Sequence, residues 1–408
     1  MIRRIEAVDF FYLAMPEITL EADGSQDALL VRVVAGDAVG WGECEASPLP
    51  SIAAFVCPRS HGACRPVADA VLGAPIEHAD DILCLARRVR SWSMDLLQAA
   101  HLWSGIEIAL WDLLGRLHEV PVWRLLGFDR AGRKRAYASL LFGDTPEETL
   151  RRGRAARARG FTAVKFGWGP FGRGRLAEDA DQVMAAREGI GSDSVLLIDA
   201  GQAFGSDVDR AAERLPLLEE SGALWLEEPF DAYAFNAYAG LAARCRTLRL
   251  AGGEAAHRPD LACALIDHGK VGYVQIDAGR VGGISAAREV CRHAQARRVS
   301  FVNHTFTSML ALSASVQAYA GIEAFGLCEY PADPKPLARA ITTRWLPIDN
   351  DGCFALPDGP GLGFTVDVEQ LGPYLRRVDL AIDGQRLFAS PALPRSAYPA
   401  RSGVTPTA

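Results

Sequence analysis

The amino-acid sequence predicts an α/β protein: a modified (β/α)8 TIM barrel, with an α+β domain formed by the N-terminal region and a C-terminal return segment. From about residue 135 onward, short apolar runs alternate with amphipathic helical segments, which is the pattern of a parallel sheet. Eight such units in about 200 residues favour a closed barrel over an open doubly wound sheet. A Rossmann-like sheet would need a glycine fingerprint after its first strand, and the sequence has none there.

Shifts in composition divide the chain into four parts. They are residues 1–130 (N-terminal α+β domain), 131–335 (barrel), 336–385 (segment returning to the first domain) and 386–408 (tail). The tail is rich in Pro, Ser and Ala and is expected to be poorly ordered.

In the N-terminal domain, β-rich stretches predict strands over 5–11 and 28–34, and residues 51–75 are expected to form a loop. A helix is predicted over about 104–117. Ser104 and Glu107 have the spacing of a capping box at its start.

Eight apolar runs are predicted to be the barrel strands. They are 137–141, 163–166, 195–198, 224–226, 250–252, 273–276, 301–303 and 324–327. The first helix between them is predicted to begin at Thr145-Pro146, because a capping threonine and a proline at the first helical position both favour a start there.

Charge and cysteine content exclude several classes of protein. The net charge is −7 and no basic stripe is present, so no nucleic-acid partner is expected. The N-terminus lacks the apolar core of a signal peptide, and no run approaches the length of a membrane span. The nine cysteines include no Cys-x-x-Cys pair, which argues against a disulfide framework or a structural zinc site. We therefore expect a cytoplasmic protein with no membrane partner.

Each predicted strand from the second to the eighth ends in an ionisable residue. These residues are Lys165, Asp199, Glu227, Glu254, Asp277, His304 and Glu329. Successive positions lie 23 to 34 residues apart, close to the roughly 30 residues of one strand–helix unit. Catalytic groups of a barrel project from the C-terminal ends of its strands. Each residue alone has an ordinary structural explanation, but seven at one mouth would repel one another unless a cation or ligand balanced them.

The residue types at these positions indicate a chemistry. Asp199, Glu227 and Glu254 provide the oxygen ligands that suit Mg²⁺, which leaves room for substrate oxygens. Asp277 lies on the strand next to His304, and a carboxylate beside an imidazole fixes its tautomer and raises its basicity, so this pair is a candidate general base. Glu329, if it is protonated among so many acids, would donate a hydrogen bond to a substrate carboxylate.

These residues stand in motifs that resemble the enolase superfamily, and within it the mandelate racemase-like subgroup (mandelate racemase/muconate lactonizing enzyme family). The resemblance covers about residues 1–380. The motifs are Gly40-Trp41-Gly42-Glu43-Cys44, the segment 106–115, Ile198-Asp199-Ala200, Leu226-Glu227-Glu228-Pro229, Gly253-Glu254, Ile276-Asp277 and the segment 358–363.

The resemblance implies that the first domain caps the barrel and that Mg²⁺ is held by Asp199, Glu227 and Glu254. It also implies that the enzyme removes the proton next to a substrate carboxylate, with His304 and Asp277 as the base. Lys165 and Glu329 would then assist the negative charge that develops on the substrate, and would join His304 and Asp277 as catalytic residues.

The sequence departs from the subgroup's racemases at two positions. Those racemases carry Lys-x-Lys after the second barrel strand, and this chain has Lys165-Phe166-Gly167. It also has Asp199-Ala200-Gly201 where Asp-Ala-Asn is commoner. Gly167 cannot transfer a proton, so racemisation would need Lys165 or a residue such as Tyr137 as the second base.

Dehydration needs only one base, because the same histidine can remove the α-proton and then protonate the departing β-hydroxyl. We therefore predict a lyase of carbohydrate catabolism: a Mg²⁺-dependent dehydratase of an acid sugar, aldonic or aldaric, that forms a 2-keto-3-deoxy acid. A racemase or epimerase is the closest alternative. Two further alternatives remain: an aldolase-type barrel with a Schiff base at Lys165, and a barrel that binds a ligand without turnover.

Substrate choice is expected to lie in the loops of the capping domain. In the segment 57–66, His61 and Arg65 are candidate ligands for hydroxyls or a distal carboxylate, although an ordinary surface loop explains the same residues equally well. The expected partner is a small carboxylate substrate, and the chain is expected to form a homo-oligomer.

Overall fold

The N-terminal domain is an antiparallel sheet covered by helices. The computed structural model describes residues 2–20, 24–45 and 47–399. The elements of this domain are β1 (Ala7–Ala14), β2 (Asp27–Ala35), β3 (Ala38–Cys44), α1 (Pro48–Val56), α2 (Val67–Val71), α3 (Ala79–Trp92), α4 (Ala99–Leu117) and α5 (Val122–Leu125). Two of these helices, α1 and α2, lie in or next to the stretch 51–75, which was expected to be a loop. Pro48 starts α1, where the N–H group that proline lacks would have no partner within the helix.

Helix α4 packs directly against β3 because two glycines leave room for it. A Cβ atom at Gly40 would lie 2.0 Å from the carbonyl oxygen of Ala109, and one at Gly42 would lie 2.4 Å from that of Gly105. The Gly-Trp-Gly motif therefore explains this close approach.

The predicted capping box at Ser104 and Glu107 is wrong. Both residues lie inside α4, which begins at Ala99. The Ser104 hydroxyl donates to the Ala100 carbonyl, and the carboxylate of Glu107 accepts from the backbone N–H groups of Ile284 and Ser285 in the barrel domain. The pair thus connects the two domains, and its spacing alone cannot distinguish that role from a cap.

Eight parallel strands and the helices between them form the second domain. Its elements are β4 (Lys134–Leu141), α6 (Pro146–Ala158), β5 (Ala163–Gly167), α7 (Leu176–Ile190), β6 (Val195–Asp199), α8 (Val208–Ala212), α9 (Leu215–Glu220), β7 (Ala223–Glu227), α10 (Phe235–Ala242), β8 (Arg249–Gly252), α11 (Pro259–Ala264), β9 (Tyr273–Ile276), α12 (Ile284–Arg297), β10 (Ser300–Asn303), α13 (Met309–Gln317), β11 (Leu327–Tyr330) and α14 (Pro336–Ala340). The start of α6 is as predicted: the side chain of Thr145 accepts from the N–H of Glu148, and proline follows it.

The strands follow the order β10-β9-β8-β7-β6-β5-β4-β11, so the sheet curls into a nearly closed barrel. The side-chain amide of Asn303 spans the remaining gap, donating to the Glu329 carbonyl and accepting from the Glu329 N–H, each at 3.0 Å. Tyr137 and Trp225 fill the interior below the mouth, with ring centroids 5.6 Å apart. The predicted fold class is confirmed.

The eighth barrel strand begins three residues later than predicted, at Leu327 rather than residue 324. The buried Lys134 explains the difference. Its ammonium donates to the backbone carbonyls of Tyr319, Ile322 and Phe325, which holds the preceding segment in a turn. Glu329 consequently lies within β11 and points into the barrel.

The C-terminal segment returns to the capping domain. Its strands are β12 (Cys353–Phe354), β13 (Leu375–Arg376), β14 (Asp379–Ile382) and β15 (Gln385–Ala389). Strand β12 pairs with β4 of the barrel, whereas β13 extends the capping sheet by pairing antiparallel with β1.

The expectation of a poorly ordered tail is wrong for residues 386–399, and residues 400–408 lie outside the described part of the chain. The indole N–H of Trp41 donates to the Ala397 carbonyl, and the hydroxyl of Tyr398 donates to Asp112. The guanidinium of Arg116 lies 3.6 Å from the centre of the Tyr398 ring. Composition predicted disorder, but one aromatic side chain anchors the segment. None of the described helices is long and apolar enough to cross a membrane.

Candidate active site

All seven predicted residues lie at one end of the barrel. Five of them line a cavity of about 640 Å³ between the barrel mouth and the capping domain: Lys165, Asp199, Glu254, His304 and Glu329. The other two lie just behind that wall, Glu227 against Lys165 and Asp277 against His304. The parallel strands bring together residues that are far apart in sequence.

Lys165 is the centre of a buried group of carboxylates. Its ammonium nitrogen lies 2.6 Å from Glu227 Oε1, 2.9 Å from Glu329 Oε1 and 3.7 Å from Asp199 Oδ2. Burial alone would lower the pKa of Lys165, but the charges of Glu227 and Glu329 outweigh it and raise that pKa well above its usual value. Lys165 is therefore an ammonium ion, which is incompatible with its acting as an unassisted base or Schiff-base amine in this arrangement.

Glu329 differs from its expected protonation state. Burial would raise the pKa of Glu329, but Lys165 and His304 outweigh it and hold that pKa below the usual value. The backbone N–H of Thr305 also donates to Glu329 Oε2 at 2.8 Å. Glu329 is thus a carboxylate here, not the hydrogen-bond donor that the sequence suggested.

The histidine has the partner that the sequence predicted for it. Nδ1 of His304 lies 2.9 Å from Asp277 Oδ2, and Asp277 is held in turn by the N–H of Gly279. On the other side of the ring, Nε2 lies 3.2 Å from Glu254 Oε2. Burial would lower the pKa of His304, but Glu254 and Asp277 outweigh it and raise that pKa well above the usual value.

The carboxylates at the ends of β6, β7 and β8 fit a hard divalent cation in donor chemistry. Burial raises the pKa of Asp199 to about 6 and that of Glu227 to about 8, even though Lys165 opposes the rise, so a bound cation would further stabilise both charged forms. In the described residues no three His, Cys, Asp or Glu side chains converge as a ready-made metal site, because Glu254 turns towards His304 and Arg280. The oxygen-only donor set suits Mg²⁺.

A partly buried ion pair joins the capping domain to the barrel beside these groups. The guanidinium of Arg280, in the loop after β9, bonds to Glu45, which follows β3. The same guanidinium approaches Glu254 Oε1 at 3.5 Å. Gly279 makes the contact possible, because a Cβ atom there would lie 2.8 Å from the backbone nitrogen of Glu45.

Sequence reasoning missed this pair and several other residues that line the cavity. The others include Arg152, Trp168 and Phe306. A signal existed for Arg280, since it lies three residues after Asp277 in the same loop after a strand. Nothing local marks Glu45, because its role depends on how the two domains dock.

His61 and Arg65 do not line this cavity. Nε2 of His61 lies 2.9 Å from Asp95 Oδ2, with both side chains about half exposed. Arg65 stacks on the ring of Trp92 at 4.6 Å and donates to the Gly62 carbonyl. The structure gives both residues local partners in the surface loop, which is the ordinary explanation that the sequence left open.

The end of β5 is closed by side chains where the subgroup's racemases carry their second lysine. A Cβ atom at Gly167 would lie 2.7 Å from Asp199 Cβ and 2.9 Å from Asp199 Oδ2. The next residue, Trp168, has a φ of 57° and turns its indole onto Gly201, where a Cβ atom would lie 2.7 Å from the ring. Besides Lys165 and His304, the described basic residues of the cavity are Arg152, Arg280 and Lys335, and Arg152 is held by the carbonyls of Leu141 and Phe142.

Fold and site together define an enzyme in which a capped (β/α)8 barrel presents a histidine–aspartate pair and several carboxylates to a cavity. The chain belongs to the enolase superfamily, in the mandelate racemase-like subgroup. The model "Enolase C-terminal domain-like" matches residues 148–371. The model "Mandelate racemase / muconate lactonizing enzyme, N-terminal domain" matches residues 13–127. The family resemblance seen in the sequence is confirmed.

Individual relatives give the range of activities nearby. The chain is 28% identical over 364 residues to a D-galactarolactone cycloisomerase of Agrobacterium fabrum (84% of this chain, 90% of the relative). It is 27% identical over 389 residues to a D-gluconate dehydratase of Thermoproteus tenax (89% and 72%). A solved structure described as a predicted mandelate racemase from Rhodobacter sphaeroides has 59% identity and a TM-score of 0.92, covering 96% of this chain and 100% of that one. The prediction of a lyase of the enolase superfamily is confirmed.

Proposed function

We propose that the chain is a Mg²⁺-dependent dehydratase that converts a sugar acid into a 2-keto-3-deoxy acid. One observation carries the proposal: among the described residues a carboxylate-backed base, His304, lies on one side of the cavity, and a glycine stands at the position of the second base. His304 is backed by Asp277 at 2.9 Å, whereas the position of a second base is Gly167, packed on Asp199. A one-base site suits an elimination in which the same group removes one proton and returns it.

The reaction is an elimination of water across the α and β carbons. The neutral form of His304 removes the α-proton through Nε2, and the carboxylate becomes an enediolate. The electron pair then forms the Cα–Cβ double bond while the Cβ–O bond breaks, and the imidazolium protonates the departing hydroxyl to give water. The resulting enol tautomerises to the 2-keto acid. Asp277 holds the imidazole through Nδ1 and stabilises its charged form.

The remaining residues bind the substrate carboxylate or the metal ion and balance their charges. Lys165 is an ammonium ion that lines the cavity, so it attracts the substrate carboxylate and the negative charge that develops on it. Asp199, Glu227 and Glu254 would hold Mg²⁺, which when bound supplies positive charge to the carboxylate oxygens. Glu329 orients Lys165 across 2.9 Å.

The activities named for the relatives support this proposal. The D-gluconate dehydratase acts by name on a sugar acid, and the D-galactarolactone cycloisomerase on the lactone of one. A sugar-acid substrate also fits a cavity whose lining mixes charged and polar groups.

The decisive experiment is a screen of aldonic and aldaric acids with Mg²⁺, read out as 2-keto acid formation, with a parallel incubation in D₂O. We expect keto acid from a sugar acid and its loss with EDTA. His304→Asn should abolish both keto acid formation and α-proton exchange, because asparagine cannot take the α-proton in place of the proposed base. The matched control is His268→Asn, at an exposed histidine away from the cavity.

Racemisation or epimerisation is the second candidate, because the 59% identical solved structure is described as a predicted mandelate racemase. Deuterium entering the α-position with inversion, and no keto acid, would establish that reaction and refute the dehydratase. Exchange that persists in His304→Asn would refute the assignment of the base.

A further inference from the structure

A second cavity lies behind the first, between the capping domain and the barrel. It has a volume of about 390 Å³ and shares three lining residues with the active-site cavity, namely Gly24, Glu45 and Arg280. We call it the cap subsite; its other lining residues include Glu43, Gln98, His101 and Thr307.

Of the residues that line both cavities, Arg280 and Glu45 lie next to the reacting groups. Arg280 approaches Glu254 at 3.5 Å, and Glu254 in turn lies 3.2 Å from Nε2 of His304. Glu45 and Arg280 line both cavities, so the cap subsite begins at side chains that also face the reacting groups.

We propose that the cap subsite binds the distal, uncharged polyhydroxyl end of the sugar acid, so that the substrate is a monocarboxylate rather than a dicarboxylate. This inference rests on the proposed function, and it narrows the substrate class.

The charges of the subsite exclude a second carboxylate. Its described acidic side chains are Asp27, Glu43 and Glu45, and its one strong cation, Arg280, is already paired with Glu45. His101 adds no positive charge, because burial, together with Arg280, lowers its pKa to about 4. A distal carboxylate would therefore be buried beside acids without a cation of its own, which is costly.

Hydroxyl groups, by contrast, find partners there. Thr307 is 4% exposed, and its hydroxyl lies beside Glu43 but has no well-aligned hydrogen bond within the described ranges. The amide nitrogen of Gln98 donates to Ser51 and leaves the amide oxygen to accept from a ligand. Burial raises the pKa of Glu43 to about 7, so near neutral pH this group both donates and accepts. A sugar hydroxyl, which is also both donor and acceptor, matches such a lining.

The test compares acid pairs that differ only at the distal carbon: gluconate with glucarate, and galactonate with galactarate. Binding is measured by titration calorimetry on the full chain with Mg²⁺, and turnover by keto acid formation. For wild type we expect at least one monocarboxylate to bind about tenfold or more tightly than its dicarboxylate partner. Equal or tighter binding of the dicarboxylates, or no binding of any monocarboxylate, overturns the cap subsite.

Added positive charge should reverse the preference. Gln98→Arg should strengthen dicarboxylate binding by about tenfold or more, the effect of one charge-assisted hydrogen bond, whereas the uncharged Gln98→Met should not. Ser47→Arg, at an exposed residue of the same lining, is an independent second variant should Gln98→Arg fail to fold, with Ser47→Gln as its control. If neither folded arginine variant gains dicarboxylate affinity, the proposal is refuted.

The two readouts separate the proposals. Binding with the predicted preference but no keto acid from any ligand would refute the dehydratase and keep the subsite. Keto acid formed preferentially from a dicarboxylate would keep the dehydratase and refute the subsite.

Discussion

Gly167 is predicted to be required because Asp199 occupies the space where a side chain would stand. In Gly167→Ala the new Cβ atom would lie 2.7 Å from Asp199 Cβ, whereas carbon atoms in ordinary contact are about 3.5–4.0 Å apart. Asp199 must therefore move by about 1 Å. Its Oδ1 atom accepts from the N–H of Gly201 at 2.8 Å, so the movement also strains that bond.

The cost can be divided between stability and function. Overpacking of this kind lowers the free energy of unfolding by about 1–3 kcal/mol. A displacement of about 1 Å in an active site costs about 10²-fold in rate, so kcat/KM should fall by about that factor. The affinity for Mg²⁺ should fall as well, because Asp199 is one of the three proposed ligands.

The assay measures Mg²⁺ binding by calorimetry, kcat/KM on the substrate found in the screen, and thermal unfolding. Gly62→Ala is the matched control, since a Cβ atom at Gly62 would meet nothing within 4 Å. The reasoning is refuted if Gly167→Ala binds Mg²⁺ and turns over substrate within about twofold of Gly62→Ala, since a shift of about 1 Å cannot leave the site unchanged.

Two further predictions concern stability. Glu107→Ala would leave the N–H groups of Ile284 and Ser285 without their acceptor and should lower the free energy of unfolding in urea by about 1–3 kcal/mol for each of them. Glu107→Gln keeps an acceptor and should lose less, so equal losses would contradict this role. Burial lowers the pKa of Lys134 to about 8 from 10.5. Between these two pH values the unfolded chain binds more protons than the folded protein. The folded protein therefore gains stability as the pH rises through this range. The gain is on the order of 3 kcal/mol. It should appear when the free energies of unfolding of wild type and Lys134→Met are compared at pH 8 and above. If both free energies change with pH by the same amount, Lys134 does not titrate as inferred.

The barrel could be predicted from sequence because each strand is a short apolar run that must be buried on both faces, and such runs are visible without knowledge of their neighbours. The residues of the site could be predicted from the same apolar runs. Since parallel strands end at one mouth, the polar residue that ends each run could be located before any contact was known. This is why Asp199, Glu254 and His304 were found and do lie together.

Contacts between the domains could not be predicted in this way. Ser104 and Glu107 have the spacing of a cap, but the backbone N–H groups from which Glu107 accepts lie 177 and 178 residues further along the chain. Glu45 and Arg280 are 235 residues apart. Local sequence patterns carry no information about which loop docks on which, and the errors at both pairs have that one cause.

The two departures from the subgroup's pattern, Gly167 and Gly201, look independent in the sequence but are one structural feature. Between Gly167 and Asp199, the carboxylate fills the space that a lysine stem would need. Trp168 then turns back with a φ of 57° and covers Gly201, where any larger residue would meet its ring at 2.7 Å. A lysine restored at position 167 alone would displace Asp199 and would still face the indole of Trp168. We therefore expect that a lysine at position 167 would be accommodated only together with changes at Trp168 or Gly201.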